Sequence, residues 1–175
     1  MKIFLTGRSG SGKSTALMKV IERLVAKGLR IGGIITPEVR AKGRRIAFKV
    51  VNLASSEEGV LASTDQLTGP RVGRYRVDIP SFERVALPAL NFALEECDIT
   101  CIDELGIMEF FSTKFKHKVK EILSSGIPVI AVVHHNYVKI YERIGTLFQV
   151  TAKNREEIVS TVVSRALRKE LLKKH

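Results

Sequence analysis

The stretch from Gly7 to Thr15, which reads GRSGSGKST, constrains the fold more than any other part of the sequence. It satisfies the pattern GxxxxGK[ST] of a phosphate-binding loop, or P-loop. The apolar segment Lys2–Thr6 before it predicts a buried strand, and Lys13–Lys27 repeats apolar residues at helical spacing. A strand, a glycine-rich loop and a helix in this order predict a P-loop nucleotide-binding fold.

Each residue type in this loop has a chemical reason. Gly7, Gly10 and Gly12 let the backbone bring its N–H groups close to phosphate oxygens, and the following helix directs its positive end at them. Lys13 is expected to reach the β- and γ-phosphates, and Ser14 to supply its hydroxyl to Mg²⁺. The other candidate nucleotide contacts in the loop are Arg8, Ser9, Ser11 and Thr15.

A second segment supplies acidic groups for the same site. It is an apolar strand, Ile99-Thr100-Cys101-Ile102, that ends in Asp103 and Glu104. Asp103 is the candidate for the Mg²⁺ shell through water, and Glu104 is the candidate that orients and deprotonates the attacking water. We therefore predict Glu104 and Lys13 as the catalytic residues; the alternative for the acidic pair is an ordinary surface turn.

Three further side chains are weaker candidates. His134 ends the following strand, where a polar group would sense the γ-phosphate; alternatively it lies on the surface beside His135. Arg143 and Arg155 are each candidates for an arginine finger, a cation that stabilises the charge of the transferred phosphoryl group.

Strands alternate with helices along most of the chain, which predicts an α/β fold: a mainly parallel sheet with helices on both faces. Residues 1–175 are expected to form one domain, into which residues 37–78 insert antiparallel hairpins. The further strands predicted are Leu29–Thr36, Arg44–Leu53, Gly59–Ser63, Arg74–Val77, Ile99–Asp103, Pro128–Val133 and Leu147–Val150. The further helices predicted are Phe82–Glu95, Thr113–Leu123, Tyr137–Arg143 and Asn154–Leu172, with a frayed basic end at Arg168–Lys174.

Composition limits the classes of partner. The 175 residues are 45% apolar and 27% charged, which suits a folded chain with one hydrophobic core. A formal charge of +11 attracts polyanions, but the absence of Trp and the presence of only three Tyr leave nucleic-acid binding resting on charge alone. No apolar run approaches the roughly 20 residues that span a bilayer, and the N-terminus does not resemble a signal peptide. We expect a cytoplasmic protein with no membrane partner and an unspecified oligomeric state.

Motifs beyond the P-loop resemble the THEP-type nucleoside-triphosphatase family. They are Gly33-Ile34-Ile35-Thr36-Pro37-Glu38-Val39-Arg40, Gly43-Arg44-Arg45-Ile46-Ala47-Phe48-Lys49, Val72-Gly73-Arg74-Tyr75-Arg76-Val77 and Ile102-Asp103-Glu104-Leu105-Gly106-Ile107-Met108-Glu109. The resemblance spans nearly the whole chain, up to Asn154-Arg155. Ala47 replaces a usual Gly, and His134 stands where the family more often has Thr, so a sensor role for His134 stays open.

The resemblance implies a RecA-like P-loop fold and Mg²⁺-dependent hydrolysis of several nucleoside triphosphates to diphosphate and phosphate. It implies that residues 7–14 bind phosphate, and that residues 99–106, with Leu105 and Gly106, form a second nucleotide-contacting segment. Glu38 and Arg40 would shape the substrate pocket.

Three other functions remain open at this level. A nucleotide or small-molecule kinase uses the same loop and adds arginines over its substrate, which the inserted block offers at Arg40, Arg44, Arg45, Arg71, Arg74 and Arg76. A GTPase switch fits DxxG at residues 103–106 but lacks NKxD, so low base selectivity is expected. A nucleic-acid-binding ATP switch is motivated by charge alone.

Overall fold

The computed structural model describes residues 1–171, within which there are ten strands and five α-helices. The strands are β1 (Lys2–Thr6), β2 (Ile31–Ile35), β3 (Glu38–Ala41), β4 (Arg44–Asn52), β5 (Glu58–Ser63), β6 (Arg71–Val72), β7 (Tyr75–Val77), β8 (Ile99–Leu105), β9 (Val129–Val133) and β10 (Thr146–Gln149). The helices are α1 (Lys13–Val25), α2 (Ile79–Glu96), α3 (Thr113–Ser124), α4 (Val138–Tyr141) and α5 (Arg155–Leu171). Short 3₁₀ helices cover Glu109–Phe111 and His135–Tyr137.

Five parallel strands form one half of the sheet in the order β10-β1-β9-β8-β2, with β10 at the edge. Leu5 of β1 pairs with Phe148 on one side and Val132 on the other, and Thr100 of β8 pairs with Gly32 and Val129. All five residues of β9 are buried. Strands covered on both faces need continuous apolar runs rather than alternating ones, which explains these sequences.

Helices cover both faces of this sheet, as the α/β fold class predicts. On one face α1 and α5 cover a core in which Leu17 and Val20 of α1 lie with Ile130 of β9. On the other face α2 contributes Leu90, and α3 contributes Phe115, to a second core. The apolar residues of α1 recur every three or four positions and are buried, so burial of this one face stabilises the helical conformation. The predicted mainly parallel sheet with two helical layers is confirmed.

The inserted strands β3 to β7 extend the same sheet beyond β2. β4 pairs antiparallel with β2, β3 and β5, and β7 pairs with β5 and β6. The predictions of strands at Arg44–Leu53 and Gly59–Ser63 are confirmed. β3 and β6 were not predicted, because β3 is short and mostly exposed between Pro37 and the Lys42-Gly43 turn, and β6 has only two residues.

Helices α2 and α4 differ from their predicted bounds. α2 begins at Ile79 rather than Phe82, because the Asp78 side chain accepts the Ser81 N–H at 3.0 Å and Pro80 fits a first turn. The helix predicted from Tyr137 shortens to α4 after a 3₁₀ turn. The predicted end at Leu172 and the basic residues 172–174 lie outside the described residues. Within residues 1–171 no helix has both the length and the apolar character needed to cross a bilayer.

Candidate active site

The P-loop presents an uncapped helix end. Gly12 is the N-cap of α1 with φ 90°, and within the described chain no side chain caps this end. The first N–H groups of a helix have no intrahelical partner, so here they are available to an anion. The φ of Gly12 favours glycine, and a Cβ atom at this position would lie 2.6 Å from Nη1 of Arg155 and would displace that side chain.

Two cations flank this loop. The Lys13 Nζ donates to the backbone oxygens of Gly7 and Arg8, at 3.1 Å each. These two hydrogen bonds hold the ammonium group beside the loop, where a bound phosphate can replace the backbone oxygens as its partner. The Arg155 side chain comes from the first position of α5 and lies against Gly12.

The acidic pair faces the loop across one intervening strand. Because β9 lies between β1 and β8, the ends of β1 and β8 are about 10 Å apart at the usual strand spacing. The pairing of β8 with β9 shifts register between Ile102 and Leu105, a bulge-type irregularity at Asp103 and Glu104. Both side chains line the same cavity as Lys13. Asp103 lies next to the Ser14 side chain, so the acidic strand end and the loop form one site.

Burial governs the titration of the carboxylates. It raises the pKa of Asp103, which is 4% exposed, to about 7; the Ser14 side chain and Lys13 act to lower this pKa, and Glu104 raises it. Burial also raises the pKa of Glu104, against the opposing influence of Lys13 and His135. The site therefore holds two carboxylates whose charged forms depend on a cation nearby.

Glu109 adds a third carboxyl group to this cluster. It is 3% exposed, and burial followed by the Glu104 charge raises its pKa well above the ordinary value. Glu109 Oε2 and Glu104 Oε1 lie 2.6 and 2.8 Å from the position that a Cβ atom on Gly106 would occupy. The two carboxyl groups therefore converge on Gly106, and a side chain at this position would separate them.

His134 stands at the end of β9, between the loop and the acidic pair. Burial, then the neighbouring His135 and Lys13, lower its pKa, so the ring is neutral. Its Nδ1 accepts the Asn136 N–H at 3.3 Å. A neutral ring that accepts at Nδ1 carries its proton on Nε2, so His134 is arranged as a hydrogen-bond donor.

One cavity of about 530 Å³ connects these groups. Eleven of the predicted site residues line it: Gly7, Ser9, Gly10, Gly12, Lys13, Ser14, Thr15, Glu38, Asp103, Glu104 and His134. The P-loop and the start of its helix, the bulge of β8 and the end of β9, together with Glu38 of β3, therefore bring half of the predicted site residues to one cavity.

Other predicted contacts lie elsewhere. Ile99, Thr100, Cys101 and Ile102 are 0% exposed, as is Leu105, so these five residues do not line the cavity, and nucleotide contact along residues 99–106 stays a prediction. These residues are the buried interior of β8 and position its acidic end. Gly106 does not line the cavity, and its lack of a side chain lets the Glu104 and Glu109 carboxyl groups approach each other.

Five polar candidates are also outside the cavity lining, namely Arg8, Ser11, Arg40, Arg143 and Arg155. Arg8 and Arg143 are exposed, and Arg40 donates to Glu38 instead, at 2.9 Å. The Ser11 hydroxyl is buried beside Gly7 without a partner among the described residues. Of the two candidate arginine fingers, therefore, only Arg155 lies next to the P-loop.

Part of the lining was not identified from sequence. His135, Thr36 and Glu109 add polar groups, and the inserted strands and the loop after β8 add Arg45, Phe48, Leu61, Val72, Ile107 and Met108, together with Pro37. The Arg45–Phe48 stretch belongs to one of the motifs quoted above, but its face toward the cavity follows from strand order, which the sequence does not reveal.

The donor atoms at the P-loop decide whether this site can hold Mg²⁺. Across residues 1–171 no group of three or more His, Cys, Asp or Glu side chains is arranged to hold a metal ion. Ser14 and Asp103 nevertheless bring a hydroxyl and a carboxylate together at the P-loop. Mg²⁺ prefers oxygen ligands and is commonly bound by one or two protein groups together with substrate phosphates and water, so these residues fit it.

The protein has the features of a P-loop NTPase. It has a glycine-rich, uncapped helix end with its lysine, and the acidic strand end lies two strands away in the sheet. The family model described as NTPase matches residues 2–163. The nucleoside-triphosphatase THEP1 of Methanocaldococcus jannaschii is 39% identical over 167 residues, which are 95% of this chain and 98% of that protein. The THEP1 of Methanothermobacter thermautotrophicus is 48% identical over 134 residues, or 77% and 76% of the two chains.

Two solved structures share the fold. The crystal structure of THEP1 from Aquifex aeolicus aligns with a TM-score of 0.84 at 32% identity, covering 95% of this chain and 99% of that one. The solution structure of a human cancer-related nucleoside triphosphatase aligns with a TM-score of 0.76 at 34% identity, covering 93% and 95%. This chain belongs to the THEP1-type nucleoside-triphosphatase family, and the predicted family and enzyme class are confirmed.

Proposed function

We propose that the protein hydrolyses nucleoside triphosphates to the diphosphate and phosphate in a Mg²⁺-dependent reaction. The observation that carries this proposal is the Glu104 carboxylate, which faces the P-loop lysine across the cavity beside Asp103. The relatives named nucleoside-triphosphatase support hydrolysis over phosphoryl transfer to another acceptor.

Each residue has a distinct task in this reaction. The N–H groups at the start of α1 bind the phosphates, and Lys13 neutralises charge on the β- and γ-phosphates. Glu104 orients a water molecule and accepts its proton as the water oxygen bonds to the γ-phosphorus and the bond to the β–γ bridging oxygen breaks. Its raised pKa makes it a stronger base than an exposed glutamate, and Lys13 and His135 favour the ionised form.

Ser14 and Asp103 would hold the metal through the hydroxyl and the carboxylate. Mg²⁺ bound there would neutralise negative charge on the phosphate oxygens. His134 would donate a hydrogen bond from Nε2 to the γ-phosphate, and Arg155 would add positive charge at the loop. Both assignments are supported by their positions at the two sides of the P-loop.

Three of the six arginines in the insertion give little support to a kinase lid, although Arg45 lines the cavity. Arg71 donates to the Gly73 oxygen at 2.8 Å, Arg76 to the Gly69 oxygen at 3.0 Å, and Arg74 to the Arg45 oxygen. Each is engaged with the insertion itself rather than directed at the loop. Low base selectivity is expected, because no carboxylate follows β9 to pair with a guanine edge.

The test is phosphate release from ATP, GTP, CTP and UTP with Mg²⁺, for the wild type and Glu104→Gln. Similar rates on the four nucleotides are expected, with a loss of roughly 100- to 10,000-fold in the variant and unchanged nucleotide affinity. Glu95→Gln on the exposed side of α2 is the matched control and should keep the wild-type rate. Retained hydrolysis in Glu104→Gln would falsify the assignment of the base.

A further inference from the structure

The cavity continues beyond the groups that the hydrolysis uses. Its far wall, which we name the apolar chamber, is formed by Pro37, Phe48, Leu61, Val72, Ile107 and Met108. The strands that carry Phe48, Leu61 and Val72 lie beyond β2 when counted from β1. The chamber is therefore on the opposite side of Asp103 and Glu104 from the P-loop, past the γ-phosphate end of a bound nucleotide.

Two polar groups border this chamber with unused hydrogen-bonding capacity. The Arg45 Nη2 pairs with Glu38 Oε1 at 2.6 Å, and its guanidinium lies 5.2 Å from the centre of the Phe48 ring. The Arg45 Nε, however, is buried and has no partner within residues 1–171. Leaving a buried N–H unpaired is costly, so an acceptor atom at this point would be stabilised.

Glu109 supplies the second polar group. It lines the cavity and is 3% exposed. Within residues 1–171 its carboxyl group accepts a hydrogen bond from its own backbone N–H. A carboxyl group in this position is satisfied by a ligand group that offers an O–H or N–H. The Arg45 Nε therefore needs a hydrogen-bond acceptor and the Glu109 carboxyl group needs a donor. A single hydroxyl group provides both.

Charge restricts the ligand further. The Arg45 guanidinium pairs with Glu38, which also binds Arg40 at 2.9 Å. The Glu104 carboxylate on this side disfavours an anion, and Glu109, whose pKa burial raises well above its ordinary value, adds no charge that would attract a cation. Apolar walls with a few convergent polar groups are typical of sites for small organic molecules, and the cavity volume is in their range.

We propose that the apolar chamber is a second ligand site that binds a neutral, flat organic molecule with a hydroxyl group, held by Arg45 and Glu109 next to the γ-phosphate position. Its relation to the γ-phosphate rests on the proposed function. The site itself does not, because its occupancy can be measured without nucleotide. The ligand fills the chamber while a triphosphate occupies the P-loop, so the two bind together.

The probe is 2-naphthol, a neutral flat molecule whose fluorescence is readily observed because the chain contains no Trp. Titration by fluorescence and calorimetry, without nucleotide, should give saturable 1:1 binding. 2-Methoxynaphthalene, which lacks the O–H donor, should bind roughly tenfold more weakly. Naphthalene-2-sulfonate, which is an anion, should bind more weakly still.

Two variants of equal chemistry locate the binding. Val72→Phe fills the chamber and should abolish naphthol binding, whereas Val60→Phe, on a partly exposed position of β5 outside the lining, should leave it unchanged. A wild-type protein that binds no naphthol, or Val72→Phe binding as well as Val60→Phe, overturns the proposal.

A second titration with a saturating non-hydrolysable ATP analogue and Mg²⁺ tests simultaneous occupancy. Naphthol affinity within about threefold of the nucleotide-free value supports two sites. Competition between naphthol and the analogue would mean that the nucleobase occupies the chamber, which overturns the proposal. Glu104→Gln serves to separate the two ideas, because it removes hydrolysis whether or not naphthol binds.

Discussion

The parallel part of the sheet and the inserted hairpins are built differently, although they share one sheet. Every residue of β9 is buried, whereas β4 in the insertion is mostly half-buried. The strands of the parallel part have helices on both faces, and the insertion packs one face on α2, where Gly59 approaches Ser81. The parallel part therefore has far less freedom to adjust.

This difference separates two tasks at the same cavity. The groups assigned to hydrolysis, among them Lys13, Asp103 and Glu104, stand at the ends of elements buried on both sides, which holds them in fixed positions. The insertion contributes walls such as Phe48 and Val72. We infer that the parallel part determines the reaction, and that the insertion determines what else can enter the cavity. Four predictions test this division, in order of decreasing effect.

The largest effect is expected from removing a matched pair of rings. Phe4 on β1 is 0% exposed and its ring lies 5.0 Å from Tyr141, and Phe48 on β4 is half-buried with its ring 5.2 Å from Tyr75. Phe4→Ala should lower the free energy of unfolding by about 3–5 kcal/mol and Phe48→Ala by about 1–2 kcal/mol. Urea denaturation measures both. Equal losses would mean that the insertion is packed as tightly as the parallel sheet.

Next in size is the loss of the P-loop lysine. Lys13→Ala should weaken triphosphate binding by on the order of a hundredfold and remove hydrolysis, because charge-assisted bonds to two phosphates are lost. Lys49→Ala in the insertion removes a lysine paired with Glu58 on the surface and should change neither quantity. Calorimetric titration and phosphate release are the measurements. A comparable loss in Lys49→Ala would contradict the division of tasks.

Asp103 gives a prediction about pH in the nucleotide-free protein. Its pKa of about 7 in the folded state exceeds the ordinary value of 3.8, so the folded protein binds more protons than the unfolded chain between these values. Stability therefore falls as pH rises from about 4 to 7, and the penalty is complete above 7. Asp103→Asn should raise the free energy of unfolding by roughly 2 kcal/mol at pH 8 and by little at pH 4.

Thermal denaturation of both proteins at the two pH values, without Mg²⁺ or nucleotide, measures this difference. Asp65→Asn, at an exposed position of the insertion, is the control and should show no such pH dependence. A gain of equal size at pH 4 and pH 8 would assign the effect of Asp103→Asn to packing rather than to a buried charge.

The smallest effect concerns the arginines. Arg155→Ala should lower hydrolysis by roughly tenfold, since a hydrogen-bonding cation at the P-loop contributes about 1.5 kcal/mol or more. Arg143→Ala and, in the insertion, Arg76→Ala should leave the rate unchanged, because Arg143 is exposed and Arg76 donates to the Gly69 oxygen, whereas Arg155 lies against Gly12 of the P-loop. Steady-state phosphate release separates the three. A loss in Arg76→Ala as large as that in Arg155→Ala would revive a role for the insertion in phosphate binding.

The sequence predicted the parts of this protein that depend on short stretches of chain. The strand, loop and helix around Lys13 and the apolar strand before Asp103 are encoded by local periodicity, glycine placement and acidic residues at a strand end. These features fix backbone conformation and chemical type within about ten residues. For this reason the P-loop and the acidic pair were identified as a site, and the parallel fold was predicted from the alternation of elements.

The tertiary structure decided which elements became neighbours. Placing β9 between β1 and β8 brings His134 between the loop and the carboxylates, and folding the insertion against β2 brings Arg45 and Phe48 to the cavity. It also made Glu109 a buried partner of Glu104 rather than a residue of a surface loop. Strand order and burial result from the packing of whole surfaces distant in sequence, and no local pattern records them.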